Sequence, residues 1–257
     1  MSQAEIIAAL SHSTGLSGAL PYSTVHVSGM DAESFLQGQL TLDLRRLSPF
    51  QHRLTAWCNV KGRVWALLRI ARTEAGFTLV LPGNQLEAFV RRLRMFVLRA
   101  KVDISPGEDS VRGWICASGE PEPAPGALAP PRWRLGAHHG LVIDADALDG
   151  PEIAADDWLG LSLLAGEAQI DAHSQEQFLP QALDLHTQDG LHFNKGCFVG
   201  QEIVARVHYR GRAPERLNLL IDPTAEDLAH RKVLCEVNAD GHRLVQVVEP
   251  VAREPSD

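Results

Sequence analysis

The chain has 257 residues, of which 45% are hydrophobic and 22% charged, a globular balance with room for one large domain or two smaller ones. Its net charge of -8 repels phosphate backbones on average, so a nucleic-acid role needs a local basic patch. The four cysteines, Cys58, Cys116, Cys197 and Cys235, are widely spaced and form no C-x-x-C pair, which argues against a disulfide framework or a zinc knuckle. Residues 1–15 lack the basic start and long apolar run of a secretory signal, and no apolar stretch has the roughly 18–20 residues of a membrane span. The expected location is therefore the cytoplasm, with no membrane partner.

In chain order, residues 23–28 alternate as a strand, and a helix follows with Asp31 at its N-cap and Phe35, Leu36 and Leu40 at helical spacing. Residues 63–71 alternate again, predicting a strand with one buried and one mixed face. Phe77–Leu81 is a further strand, ended by Pro82-Gly83. Asn84 and Glu87 make a capping-box pattern for a helix over 85–98. That helix carries Phe89, Leu93, Phe96 and Val97 on one side and Arg91, Arg92, Arg94 and Arg99 around much of the rest. A solvated face accounts for the arginines; a glutamyl tail or an RNA phosphate is the functional alternative.

Residues 111–117 read as a strand, 119–131 as a proline-rich loop, and 141–145 as a short strand. Asp156 and Asp157 can cap a helix over 158–166. Residues 173–200 read as irregular loop, and the strands 202–209, 216–221, 233–238 and 243–249 follow. The order predicts an α+β fold, with a body over residues 1–212 and a short C-terminal β-barrel-like module over 213–257 that leans on it. The histidines fall at no metal spacing: His138-His139 reads as a loop pair, and no metal site is expected. Residues 144–150 superficially resemble a calcium loop but lack its glycine position and closing glutamate.

The densest signal is Asn194-Lys195-Gly196-Cys197-Phe198-Val199-Gly200-Gln201-Glu202. Two glycines permit unusual dihedrals and close approach, Lys195 can favour a Cys197 thiolate, and Gln201 and Glu202 supply a donor and an acceptor. A tight turn around a buried structural cysteine fits the local composition as well. Arg206, Arg210 and Arg212 lie just beyond, as a solvated run or a basic patch.

The string resembles the K-G-C-[FY]-x-G-Q-E signature of the YgfZ family at every defined position, continuing through Ala205-Arg206 and Tyr209-Arg210-Gly211. Phe178–Ala182, Leu36–Asp43 and Cys58–Trp65 resemble three further family segments in the right order. The resemblance implies a fold similar to the glycine-cleavage aminomethyltransferase, the T-protein, with tetrahydrofolate or a related folate in a central opening. It also implies iron–sulfur enzymes or cluster-assembly proteins as partners, some of them enzymes that thiolate tRNA, and hence an indirect link to tRNA. Cys197 and Lys195 would form the reactive pair, Cys197 as redox group or ligand thiolate. Tyr22, Trp158, Gln201, Glu202 and Glu167 would line the folate site, in one cleft with the cysteine loop. The T-protein's catalytic aspartate falls on Ala66 or Leu67, which cannot take a proton. A pterin-anchoring glutamate falls near Leu164, and Glu167, one helical turn on, can stand in for it. The resemblance therefore favours a folate-binding accessory protein over a one-carbon transferase. A scaffold that binds tRNA or a client without folate is the remaining alternative.

Overall fold

The computed structural model describes residues 2–12, 14–49, 51–117, 132–143, 150–211 and 213–251. The proline-rich segment, the calcium-like segment and Arg212 lie outside these, as does the side chain of Arg210. The element order is α1 (Gln3–Leu10), β1 (Gly15–Ala19), β2 (Tyr22–Ser28), α2 (Ala32–Gln39), β3 (His52–Cys58), β4 (Val64–Thr73), β5 (Gly76–Pro82), α3 (Leu86–Arg94), β6 (Asp103–Pro106) and β7 (Val111–Ile115). There follow β8 (Arg132–Arg134), β9 (His139–Ile143), β10 (Glu152–Ile153), α4 (Ala155–Leu164), α5 (Gln201–Arg210), β11 (Glu215–Ile221), α6 (Ala225–Leu228), β12 (Lys232–Ala239) and β13 (His242–Pro250). No helix among the described residues is long and apolar enough to cross a membrane.

The strands form two five-stranded sheets, ordered β3-β4-β5-β2-β6 and β10-β1-β7-β9-β8, and a three-stranded sheet β11-β13-β12. The fold is therefore α+β. The first sheet is covered on one face by α2 and α3, through a cluster that includes Trp57, Trp65, Leu68, Ile70, Phe89 and Leu93. Its other face is covered too. Leu54, Ala56 and Leu67 pack with Phe178, Leu183, Phe198 and Val204, and Ala71 and Val80 pack with Trp158 and Leu141. That is why Val64–Leu68 is buried without interruption, where alternation alone predicts one mixed face. The C-terminal sheet shares both clusters: Val237, Ala239 and Leu244 join Trp158 and Leu161, and Val248 joins Phe178.

Several ends differ from expectation for identifiable reasons. Asp31 precedes α2 without capping it; its carboxylate accepts from the Lys101 backbone N–H at 2.7 Å. A tight turn over Gly83–Gln85 takes the place of an Asn84 cap. Helix α3 then stops at Arg94, because the amides of Met95, Phe96 and Val97 reach back only three residues and Leu98 turns left-handed at φ 46°. Helix α4 starts after Ala154, with Asp156 and Asp157 in its first turn, where carboxylates suit the helix dipole. His139 is buried in β9 rather than exposed in a loop. The largest correction is α5: residues 201–210 are helical, not a strand. Ile203, Val204, Val207 and Tyr209 gave them β composition, yet Val204 alone is fully buried, and Gln201, Ala205 and Val207 flank it at helical spacing.

Candidate functional site

Two sites lie on either side of one apolar cluster. The first is a cavity of about 40 Å³ between the two large sheets, lined by Tyr22, Leu67, Arg69, Trp158, Glu167 and Gln169 among others. Tyr22 opens β2, and its hydroxyl donates to Gln169 Oε1 at 3.0 Å. Its ring meets Trp158 edge to face, with centroids 6.1 Å apart. Burial raises the Tyr22 pKa well above the phenol range, so it stays a neutral donor. Trp158 is wedged against Gly113, where a Cβ would lie 2.5 Å from the indole, and its N–H donates to the Gly140 carbonyl at 2.6 Å. Tyr22 and Trp158 thus meet as expected. Trp158 is a core anchor with one edge on the cavity.

Glu167 follows the turn that ends α4, and Gly166 adopts φ 79° there. Only 5% exposed, Glu167 accepts from Arg69 Nη2 at 2.6 Å, and His139 Nε2 stands 3.9 Å away. Leu164 packs into the neighbouring core instead, so Glu167 is the acid at this cavity. Arg69 also reaches His52 Nδ1 at 3.4 Å. Burial holds both histidines neutral, with pKa values down to about 3 for His52 and about 4 for His139. Arg69 and Gln169 escape motif reasoning, though a lone arginine inside the apolar run of β4 is the signal that finds the first. Leu67 lines the cavity and Ala66 is buried beside it, so neither position supplies a base.

The second site is the loop before α5, and here all four motif segments meet. Lys195 is 3% exposed; its ammonium donates to the carbonyls of Leu40, at 2.8 Å, and Gln37. It therefore caps the C-terminal end of α2. Gln37 returns the contact, donating to the Lys195 carbonyl at 2.9 Å and to Asp43 at 2.8 Å. Gly200 (φ 80°) lies so close to the Asn59–Arg63 turn that a Cβ would sit 2.4 Å from the Asn59 carbonyl, and only glycine fits. From the third segment, the Phe178 carbonyl accepts from Val64 N and Gln181 donates to the Val204 carbonyl at 2.7 Å.

This scaffold leaves Cys197 exposed, while Cys58 and Cys116 are buried and Cys235 is half-buried. Burial raises the Cys58 thiol far above its ordinary range and Cys235 to about 11, which makes both poor thiolates. The structure corrects the role expected of Lys195. Its charge is committed inward to the end of α2, so it positions the loop rather than serving the thiol. Gln201 also holds the loop, accepting from Phe198 N at 3.3 Å, and Glu202 is exposed in the first turn of α5. No residue of the Lys195–Glu202 segment lines the Tyr22–Trp158 cavity, so the single cleft expected from sequence is two separate sites. The two are joined by packing, since Phe198 and Val204 share a cluster with Leu54 and Leu67. Among the described residues no group of three or more His, Cys, Asp or Glu is placed to hold a metal ion.

No family model matches the chain. The tRNA-modifying protein YgfZ of Edwardsiella ictaluri is 35% identical over 234 residues, covering 80% of this chain and 70% of that protein. The proteins of the same name from Klebsiella pneumoniae and Escherichia coli are 30% and 31% identical, each covering 89% of this chain and 83% of its own length. In three dimensions the chain is similar to glycine cleavage system aminomethyltransferase T from Bartonella henselae. The TM-score is 0.71 at 15% identity, over 96% of this chain and 81% of that one, so the two share a fold. With this fold, four motif segments closing on one cysteine loop, and relatives at this identity over most of their length, the chain belongs to the YgfZ family.

Proposed function

We propose that the chain is a folate-binding accessory protein that supports assembly or repair of iron–sulfur enzymes, tRNA-modifying ones among them. The observation that carries this reading is Cys197: the most exposed of four thiols, presented by a loop that all four motif segments build. The names of its relatives supply the link to tRNA modification. Cys197 serves in this reading as a ligand or redox thiolate toward a client's cluster.

The central cavity has the chemistry for a folate ring. Glu167 is the acceptor for ring N–H groups, Tyr22 and Gln169 are further polar partners, and Trp158 and Leu67 are apolar lining. When bound, a folate supplies a carrier for one-carbon units. The residues here hold and orient it, and Ala66 and Leu67 give no base for transfer. At about 40 Å³ the cavity accommodates water rather than a pterin, so ring binding in this reading requires the cavity to widen. That small volume is also the observation favouring the second reading, a tRNA- or client-binding scaffold without folate.

Titration of purified protein with tetrahydrofolate, followed by tryptophan fluorescence, separates the two. Saturable quenching that is weakened at least about ten-fold by Tyr22→Ala is the expected result. A flat titration by fluorescence and by calorimetry leaves the scaffold reading. The thiol is tested independently: a Cys197→Ser gene in a deletion strain is expected to leave iron–sulfur enzyme activity low. Full restoration would make the thiol dispensable.

A further inference from the structure

Leu98 is 89% exposed and held in the left-handed region at φ 46°, a conformation that disfavours a leucine and that no packing contact of its own offsets. Around it stand more apolar side chains in water: Met95, Phe96 and, from the neighbouring turn, Met30, itself 85% exposed. Reciprocal contacts fix the two turns together. Asp31 N donates to the Lys101 carbonyl at 3.3 Å, and Lys101 N donates to the Asp31 carboxylate at 2.7 Å. Phe96 rests edge-on against Trp57 at 5.7 Å, which anchors the ridge to the core.

Charge distinguishes this patch from the rest of the molecule. Residues 91–101 hold four arginines and a lysine and no acid, in a chain of net charge -8. Arg92 lies over Trp57 and Trp65, and Arg94 binds the Ile104 carbonyl. Arg91, Arg99 and Lys101 make no ion pair with a carboxylate among the described residues. Methionine, phenylalanine and arginine together are the composition of protein interfaces, and thioether side chains adapt to a partner's shape.

We propose that Met30 and the 95–101 turn form a docking surface for an acidic amphipathic helix of a partner protein. Its apolar side would cover Leu98 and the methionines, and its carboxylates would meet Arg91, Arg99 and Lys101. An RNA strand is the poorer fit, because Leu98, Met30 and Met95 offer no ring for a base to stack on and Phe96, the one ring of the patch, is held edge-on against Trp57. A bilayer is also the poorer fit, since the apolar groups come from two separate turns rather than one helix stripe. The inference goes beyond the folate reading and does not depend on it.

The test is fluorescence anisotropy with a labelled synthetic helix carrying leucine at i, i+4 and i+7 and glutamate between. Its lysine twin, a labelled oligouridylate and phosphatidylglycerol vesicles are run beside it. The acidic peptide is expected to bind at micromolar concentrations, more weakly as salt rises. Leu98→Asn is the decisive variant, because asparagine tolerates the left-handed conformation. It is expected to weaken binding at least about ten-fold while the thermal midpoint holds or rises. Met95→Ser is expected to weaken binding in the same direction. Absence of acidic-peptide binding overturns the proposal, as does unchanged affinity in both variants or preference for the lysine peptide, the oligonucleotide or the vesicles. Tetrahydrofolate titration of the same samples reports on the cavity separately.

Discussion

Replacing Glu167 by leucine is expected to destabilise the protein by about 3–5 kcal/mol, because it leaves Arg69 charged, almost buried and without its carboxylate. The side chains of Arg69 and Glu167 are 11% and 7% exposed, so water cannot replace the lost partner without opening the sheet interface. His52 and His139 cannot replace the carboxylate, since a histidine is at most neutral toward a cation, the form in which burial holds both. Urea unfolding of Glu167→Leu should show the loss as a lowered midpoint at unchanged slope. The double variant Arg69→Met, Glu167→Leu is expected to recover most of it, because a buried pair replaced as a unit by apolar groups costs little. If the single variant unfolds at the wild-type midpoint, the pair is solvated in solution, and the cavity is wetter and wider than the closed form. The same substitution bears on folate: a stable double variant that still binds tetrahydrofolate with wild-type affinity would remove Glu167 from the ligand site.

The second large effect is expected at Lys195. Lys195→Met removes the cap from the Gln37 and Leu40 carbonyls and is expected to cost about 1.5–3 kcal/mol, the range for hydrogen bonds made by a charged donor. The effect should be local as well as global. Backbone amides over 194–201 should exchange faster with solvent, because the loop then loses the ammonium that ties it to the Gln37 and Leu40 carbonyls. Cys197→Ser, at an exposed position, is expected to stay within about 0.5 kcal/mol of wild type.

The lysine also gives a signed pH dependence. Burial pulls its pKa down to about 8, against the attraction of Asp43. The unfolded chain keeps that proton up to about 10.4, so between these values the unfolded state binds more protons than the folded one. This group therefore makes stability rise with pH through that window. The burial cost of its charge is fully present below pH 8. The methionine variant is expected to lack the rise. Equal pH slopes for the two proteins between 8 and 10 would show that Lys195 is hydrated and leaves the loop unanchored.

Legibility varied from element to element. Strands β2, β5 and β13 and helices α2 and α4 were readable because each shows one period over its own length. Helix α1 went unread although Ser2 and Glu5 form a capping box before an apolar run, a signal present in the sequence. Helix α5 was misread because its β-branched residues suit a strand, and only the packing of Val204 under the Gln181 contact decides otherwise. At the site, the segment that presents Cys197 was readable from its motif, and the direction of Lys195 was not. A lysine two residues from a cysteine says nothing about which way its ammonium points.

The sequence by itself determined family membership and fold class, through four ordered motifs and an α+β order of periodicities, and it contains no long apolar span. Tertiary structure alone decided where those motifs meet. They are distant in the chain and meet because Gln37 bonds the Lys195 carbonyl, Gln181 bonds the Val204 carbonyl of α5, and Gly200 packs too closely on the Asn59–Arg63 turn for any side chain. It decided too that the aromatic cavity and the thiol are separate sites, since the closure of two sheets around Arg69 and Glu167 is a matter of layer packing that no local spacing encodes.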